Sequence, residues 1–175
     1  MKYFSLILTV LLWVSCATKP VSTVPRIDAD GNLTGIVTKT DFLKPPFVSW
    51  FDGEYNGYVA DARVVAGIKK LLADEQITIK AVMGTWCSDS RREVPHFYKI
   101  LDMAHFDYSR LKMAAVNRQM EVPATLGKLQ IERVPTFIFY RKGKELHRIV
   151  EYPVETLEKD MYKILSGQSY RHAYE

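Results

Sequence analysis

From Ile77 to Met83 the chain runs Ile-Thr-Ile-Lys-Ala-Val-Met, and after Gly84-Thr85-Trp86-Cys87 apolar residues return at Val94, Phe97, Leu101 and Ala104. The first run suits a buried strand and the second, with its spacings of three and four, one face of a helix. A strand that turns into a helix within a few residues restricts the chain to sheet-and-helix architectures in which the helix packs back on the sheet. It also fixes where Cys87 lies. The backbone N–H groups at a helix start are unpaired and carry positive dipole character, which favours a thiolate there. Arg91 and Arg92 act in the same direction, whereas Asp89 opposes them as a like charge.

The flanking segments continue the alternation. Asp61 is placed to cap a helix whose apolar stripe is Val64, Val65, Ile68, Leu71 and Leu72. Leu111 to Val116 reads as a second buried strand, and Val122 to Leu129 as a shorter helix leading to Pro135. A final helix carries Leu157, Met161, Ile164 and Leu165, with Gly167 positioned to end it. These elements predict an α/β fold with a mixed central sheet flanked by helices.

The order of motifs resembles thioredoxin-like proteins across roughly residues 60 to 166. Trp86-Cys87-Ser88-Asp89-Ser90 stands where that family carries Trp-Cys-x-x-Cys, Pro95 falls where its first active-site helix has a proline, and Val134-Pro135-Thr136 matches its hydrophobic-Pro-Thr element. The resemblance implies that Pro135 follows a cis peptide bond and faces Cys87, and that Val134 and Thr136 help grip a bound chain beside Trp86. It also implies that Phe137 to Val150 forms the family's terminal antiparallel hairpin, turning at Arg141 to Lys144. Three residues depart from the family pattern. Ser90 replaces the resolving cysteine, so no internal disulfide can close on Cys87. Ala81 and Ala115 replace the buried aspartate and the lysine that serve proton transfer in a dithiol cycle. The resemblance therefore implies a monothiol thiol–disulfide oxidoreductase, with Cys87 as nucleophile and Ser90 as hydrogen-bond donor to its thiolate. Mixed disulfides with an envelope protein or a small thiol would then need an external resolving thiol or reductase. A redox-silent binding module using the same groove is the alternative.

Phe4 to Val14 is a nearly unbroken apolar run of signal-peptide length, ending at Val14-Ser15-Cys16-Ala17. The site resembles a bacterial lipoprotein cleavage site, with Trp13 where leucine is usual. Residues 1–15 are expected to be a signal peptide, 16–40 a tether lipid-anchored at Cys16, and 41–175 a thioredoxin-like domain with an aromatic lead-in. The location this implies is a periplasm-facing lipoprotein of the outer membrane. The chain has two cysteines, so acylation of Cys16 would leave Cys87 without a disulfide partner. Within the tether, Asp30-Gly31 between short apolar pieces marks a small hairpin.

The lead-in holds Phe42, Phe47, Trp50, Phe51, Tyr55 and Tyr58, a density expected either to pack on the domain or to form a peptide-binding lip. Lys and Arg number 24 against 20 acidic residues, a mild excess without the aromatic interleaving of a nucleic-acid surface. His96, His105, His147 and His172 share no metal-ligand spacing, and no cofactor or metal is expected.

Overall fold

A computed structural model describes residues 23–175. The expected signal peptide, the expected lipidation site Cys16 and the start of the expected tether lie outside the described residues.

Alternating side chains along three strands divide the interior into two cores. On one face Ile77, Ile79, Ala81 and Met83 of β3 (Ile77–Met83) join Met113 and Ala115 of β4 (Leu111–Ala115) and Phe137 and Phe139 of β5 (Thr136–Arg141). On the other, Val82, Ala114 and Ile138 form a smaller cluster. This is the period-two geometry of a pleated sheet buried on both sides. β3 is central, pairing parallel with β4 and antiparallel with β5, and β6 (Lys144–Val150) closes the hairpin on β5. Lys142 and Gly143 take φ values of 53° and 75° at that turn, the left-handed backbone that tight hairpins require.

The Asp-Gly hairpin forms: β1 (Arg26–Ile27) pairs with β2 (Leu33–Val37), and Gly31 turns at φ 80°. Its second strand goes further than a tether. β2 pairs antiparallel with β4, giving a six-stranded sheet in the order β1-β2-β4-β3-β5-β6. Residues 33–37 of the segment expected to be a tether thus belong to the central sheet, and Leu33 and Val37 lie in the larger core.

The larger core is covered by helices α1 (Lys39–Phe42), α2 (Val48–Gly57), α3 (Ala62–Leu72), α4 (Ser88–Met103) and α5 (Leu157–Ser166). Asp61 caps α3 by accepting from the Arg63 N–H at 2.8 Å, and Gly167 ends α5 at φ 75°. The aromatic lead-in packs inward. Phe42 and Phe51 are fully buried and stack at 5.7 Å, and Phe51 stacks on Tyr55 at 5.9 Å. The β3–α4–β4 unit, the β5–β6 hairpin and the final helix have the order expected from the resemblance to thioredoxin-like proteins, in a mixed α/β fold.

The smaller core is closed by residues 117–135, which differ from expectation. In place of a helix over Val122 to Leu129 there is a single 3₁₀ turn, Ala124–Leu126. Pro123 sets its start and Gly127, at φ 79°, ends it after one turn. Val122, Leu126 and Leu129 still turn into the smaller core, so the apolar positions keep their role without a helical backbone. Lys80 Nζ donates to the Leu126 carbonyl at 2.9 Å and Arg148 Nη1 to the Leu129 carbonyl at 2.9 Å, fixing this segment to β3 and β6.

Candidate functional site

Cys87 occupies the N-cap position of α4, with extended backbone (φ −94°, ψ 127°) and a partly exposed side chain. Its N–H donates to the Gly84 carbonyl at 2.9 Å, tightening the turn out of β3. Its carbonyl accepts from the Arg91 N–H at 3.1 Å, beginning the helix. The thiol is therefore held by backbone on both sides.

The 117–135 segment delivers Val134 to this turn. Cys87 Sγ donates to the Val134 carbonyl at 3.1 Å, and the Val134–Pro135 peptide bond is cis. The Thr136 hydroxyl donates to the Arg133 carbonyl at 2.7 Å, and the Pro135 carbonyl accepts from the Glu151 N–H at 2.7 Å. The α4 start, the proline loop running into β5, and the residue that follows β6 thus come together.

Trp86, next to Cys87, packs on the smaller core with Val134. Its indole N–H donates to the Val116 carbonyl at 2.9 Å, and the Arg118 guanidinium lies over its ring at 5.2 Å. Gly84 fits this ring closely: a Cβ there would stand 2.6 Å from the indole. The Thr85 hydroxyl accepts from the Leu33 N–H at 3.0 Å, tying β2 to the same turn.

Cys87, Trp86, Val134, Pro135 and Thr136 are thus brought together. Ser90 lies beneath them, fully buried, with its hydroxyl accepting from the Gly84 N–H at 3.2 Å. Among the described residues no hydrogen bond joins Ser90 to Cys87. The two arginines also separate in role. Arg92 is spent on Asp89 and Glu93, each at 2.8 Å, so the opposing charge of Asp89 is compensated. Arg91 donates through Nε to the Thr85 carbonyl at 2.6 Å and has no carboxylate partner among the described residues.

Gly84, Leu33, Val116, Arg118 and Glu151 were not legible as site residues. For Gly84 a signal existed, a residue without a side chain two positions before a tryptophan. The others arrive by long-range pairing that local sequence does not encode.

No family model matches the chain, and no curated protein matches it. Among solved structures it is similar to oxidized mitochondrial thioredoxin 3 from Saccharomyces cerevisiae, with 17% identity over 47% of this chain and 73% of that one, at a TM-score of 0.32. It is also similar to PA1234, a protein of unknown function from Pseudomonas aeruginosa, with 14% identity over 71% of this chain and 99% of that one, at a TM-score of 0.38.

Proposed function

We propose that this protein carries out monothiol thiol–disulfide exchange at Cys87. The observation that carries the reading is the meeting of a partly exposed N-cap thiol with the carbonyl that precedes a cis proline, 3.1 Å apart. That geometry leaves the sulfur reachable from solvent beside a fixed backbone edge, as in-line attack on a disulfide requires. The Cys87 thiolate attacks one sulfur of R–S–S–R′. A Cys87–S–S–R bond forms, the substrate S–S bond breaks, and R′S⁻ leaves with the electron pair. Because Ser90 supplies no thiol, a second thiol from outside the chain attacks the mixed disulfide and returns Cys87.

The cell-envelope setting is part of the proposal and is supported by sequence alone, through the apolar run Phe4 to Val14 and the cleavage-site resemblance at Cys16. The substrates in that setting are envelope proteins or small thiols. Among the described residues no helix is long and apolar enough to cross a membrane.

The test is mass spectrometry of the reduced chain after exposure to a peptide disulfide. One half-peptide should add to Cys87, leave on treatment with dithiothreitol, and fail to add at position 87 in Cys87→Ser. Peptide binding without an adduct would refute exchange and point to a redox-silent binding module.

A further inference from the structure

Building on the reading of Cys87 as the exchange thiol, we propose that Arg91 and Arg118 select disulfides bearing carboxylates close to the sulfur under attack. The two guanidinium groups belong to exposed residues on segments that adjoin Cys87, one on the first turn of α4 and one on the strand-exit segment that carries Trp86's hydrogen-bond acceptor. Each is positioned by a neutral contact. Arg91 rests on the Thr85 carbonyl at 2.6 Å, and Arg118 on the face of Trp86 at 5.2 Å. Neither has an ion pair among the described residues.

Of the neighbouring carboxylates, two are taken by other arginines, while Glu121 and Glu132 make no ion pair among the described residues. Asp89 is paired with Arg92, and Glu151 with Arg133 at 3.5 Å. Glu121, on the same loop as Arg118, accepts from Asn117 Nδ2 at 2.6 Å and contacts neither arginine. Two cations without ion pairs, held against the residues that precede Cys87, raise the local concentration of anionic disulfides and stabilise the encounter. Arginine suits the task because it presents a planar fork of donors to a carboxylate. The bonding change stays that of disulfide exchange: Cys87–S–S–R forms while R′S⁻ carries the electron pair away.

The test compares two small disulfides, the dianionic 5,5′-dithiobis(2-nitrobenzoate) and the neutral 4,4′-dithiodipyridine, at low ionic strength. Their rate ratio at Cys87 removes intrinsic thiol reactivity. Arg91→Gln and Arg118→Gln should each lower the anionic-to-neutral ratio about threefold, with the double variant near tenfold. Arg118→Lys should keep most of the preference, and added salt should erase it in wild type. A second arm opposes a Glu-flanked peptide disulfide to its Gln-flanked counterpart. Preference in both arms assigns acidic protein segments, whereas preference for the small anion alone assigns a carboxylated small thiol. A ratio unchanged in both variants overturns the proposal while leaving exchange intact. If neither disulfide modifies Cys87, exchange itself falls.

Discussion

Replacing Ser90 with cysteine restores the residue that a dithiol cycle needs, and the structure sets what this does to stability. In wild type the fully buried Ser90 hydroxyl accepts from the Gly84 N–H at 3.2 Å. A thiol is a weak acceptor, so the reduced Ser90→Cys protein leaves that buried N–H poorly satisfied, at a cost of about 1–3 kcal/mol. Oxidation works in the opposite direction. Positions 87 and 90 share the first turn of α4, where side chains three apart are neighbours. Closing a loop of about four residues stabilises by about 2 kcal/mol in the chain-entropy relation. The oxidised variant should therefore unfold near wild type in urea, and the reduced variant about 2 kcal/mol earlier. Thiol counting after mild oxidation should show two thiols lost relative to the reduced variant. Turnover with an external reductant should rise above wild type yet stay slow, because Ala81 and Ala115 provide no proton relay. Thiols that persist under oxidant, or unfolding that ignores redox state, would show that the two positions do not converge at the helix start.

Gly84→Ala places a Cβ 2.6 Å from the Trp86 indole, which is held by Val116, and should cost about 1–3 kcal/mol in denaturant unfolding and alter Cys87 labelling rates. Gly67→Ala meets Tyr162 of α5 at 2.7 Å, its nearest contacts all on that ring and none on the Cys87 turn, and should leave those rates unchanged. Phe51→Ala empties a buried aromatic stack and should cost about 3–5 kcal/mol by the same unfolding measurement; a value below about 1 would mean that the lead-in is loosely docked. Asp102 and Glu158 should make stability fall in acid. Burial raises both carboxyls, but donors from Lys39, Tyr108 and Tyr55 on Asp102, and from the Tyr58 hydroxyl and the Asp61 N–H on Glu158, outweigh it and hold them below their ordinary values of 3.8 and 4.5. With folded values below unfolded ones, this stability is present above those ordinary values and is lost as pH falls through the folded ones. Urea midpoints taken from about pH 6 to about pH 3 should therefore drop less steeply in Asp102→Asn and Glu158→Gln than in wild type.

Sequence by itself determined the features whose physics is local. The apolar period of β3, the Asp61 cap, the Asp-Gly and Lys-Gly turns and the Gly167 stop each depend on side chains or φ values within a few residues. The placement of Cys87 at a helix start belongs with them, because strand and helix meet there within one turn. Long-range packing decided the rest. β2 joins the sheet because Gly35, Ile36 and Val37 find Ala115, Ala114 and Met113, partners whose identity no window around residue 35 contains. The segment from Val122 to Leu129 kept its apolar positions but not its helix, since Pro123 and Gly127 limit it to one turn while the face of the sheet carrying Val82, Ala114 and Ile138 still needs covering. Ser90, Arg91 and Arg92 stand close together in sequence yet serve different ends: burial turned Ser90 onto Gly84, Asp89 and Glu93 took Arg92, and Arg91 was left free of any carboxylate among the described residues. Sequence could supply their chemistry; which neighbour each would meet was settled only when the sheet, the proline loop and α4 closed on one another.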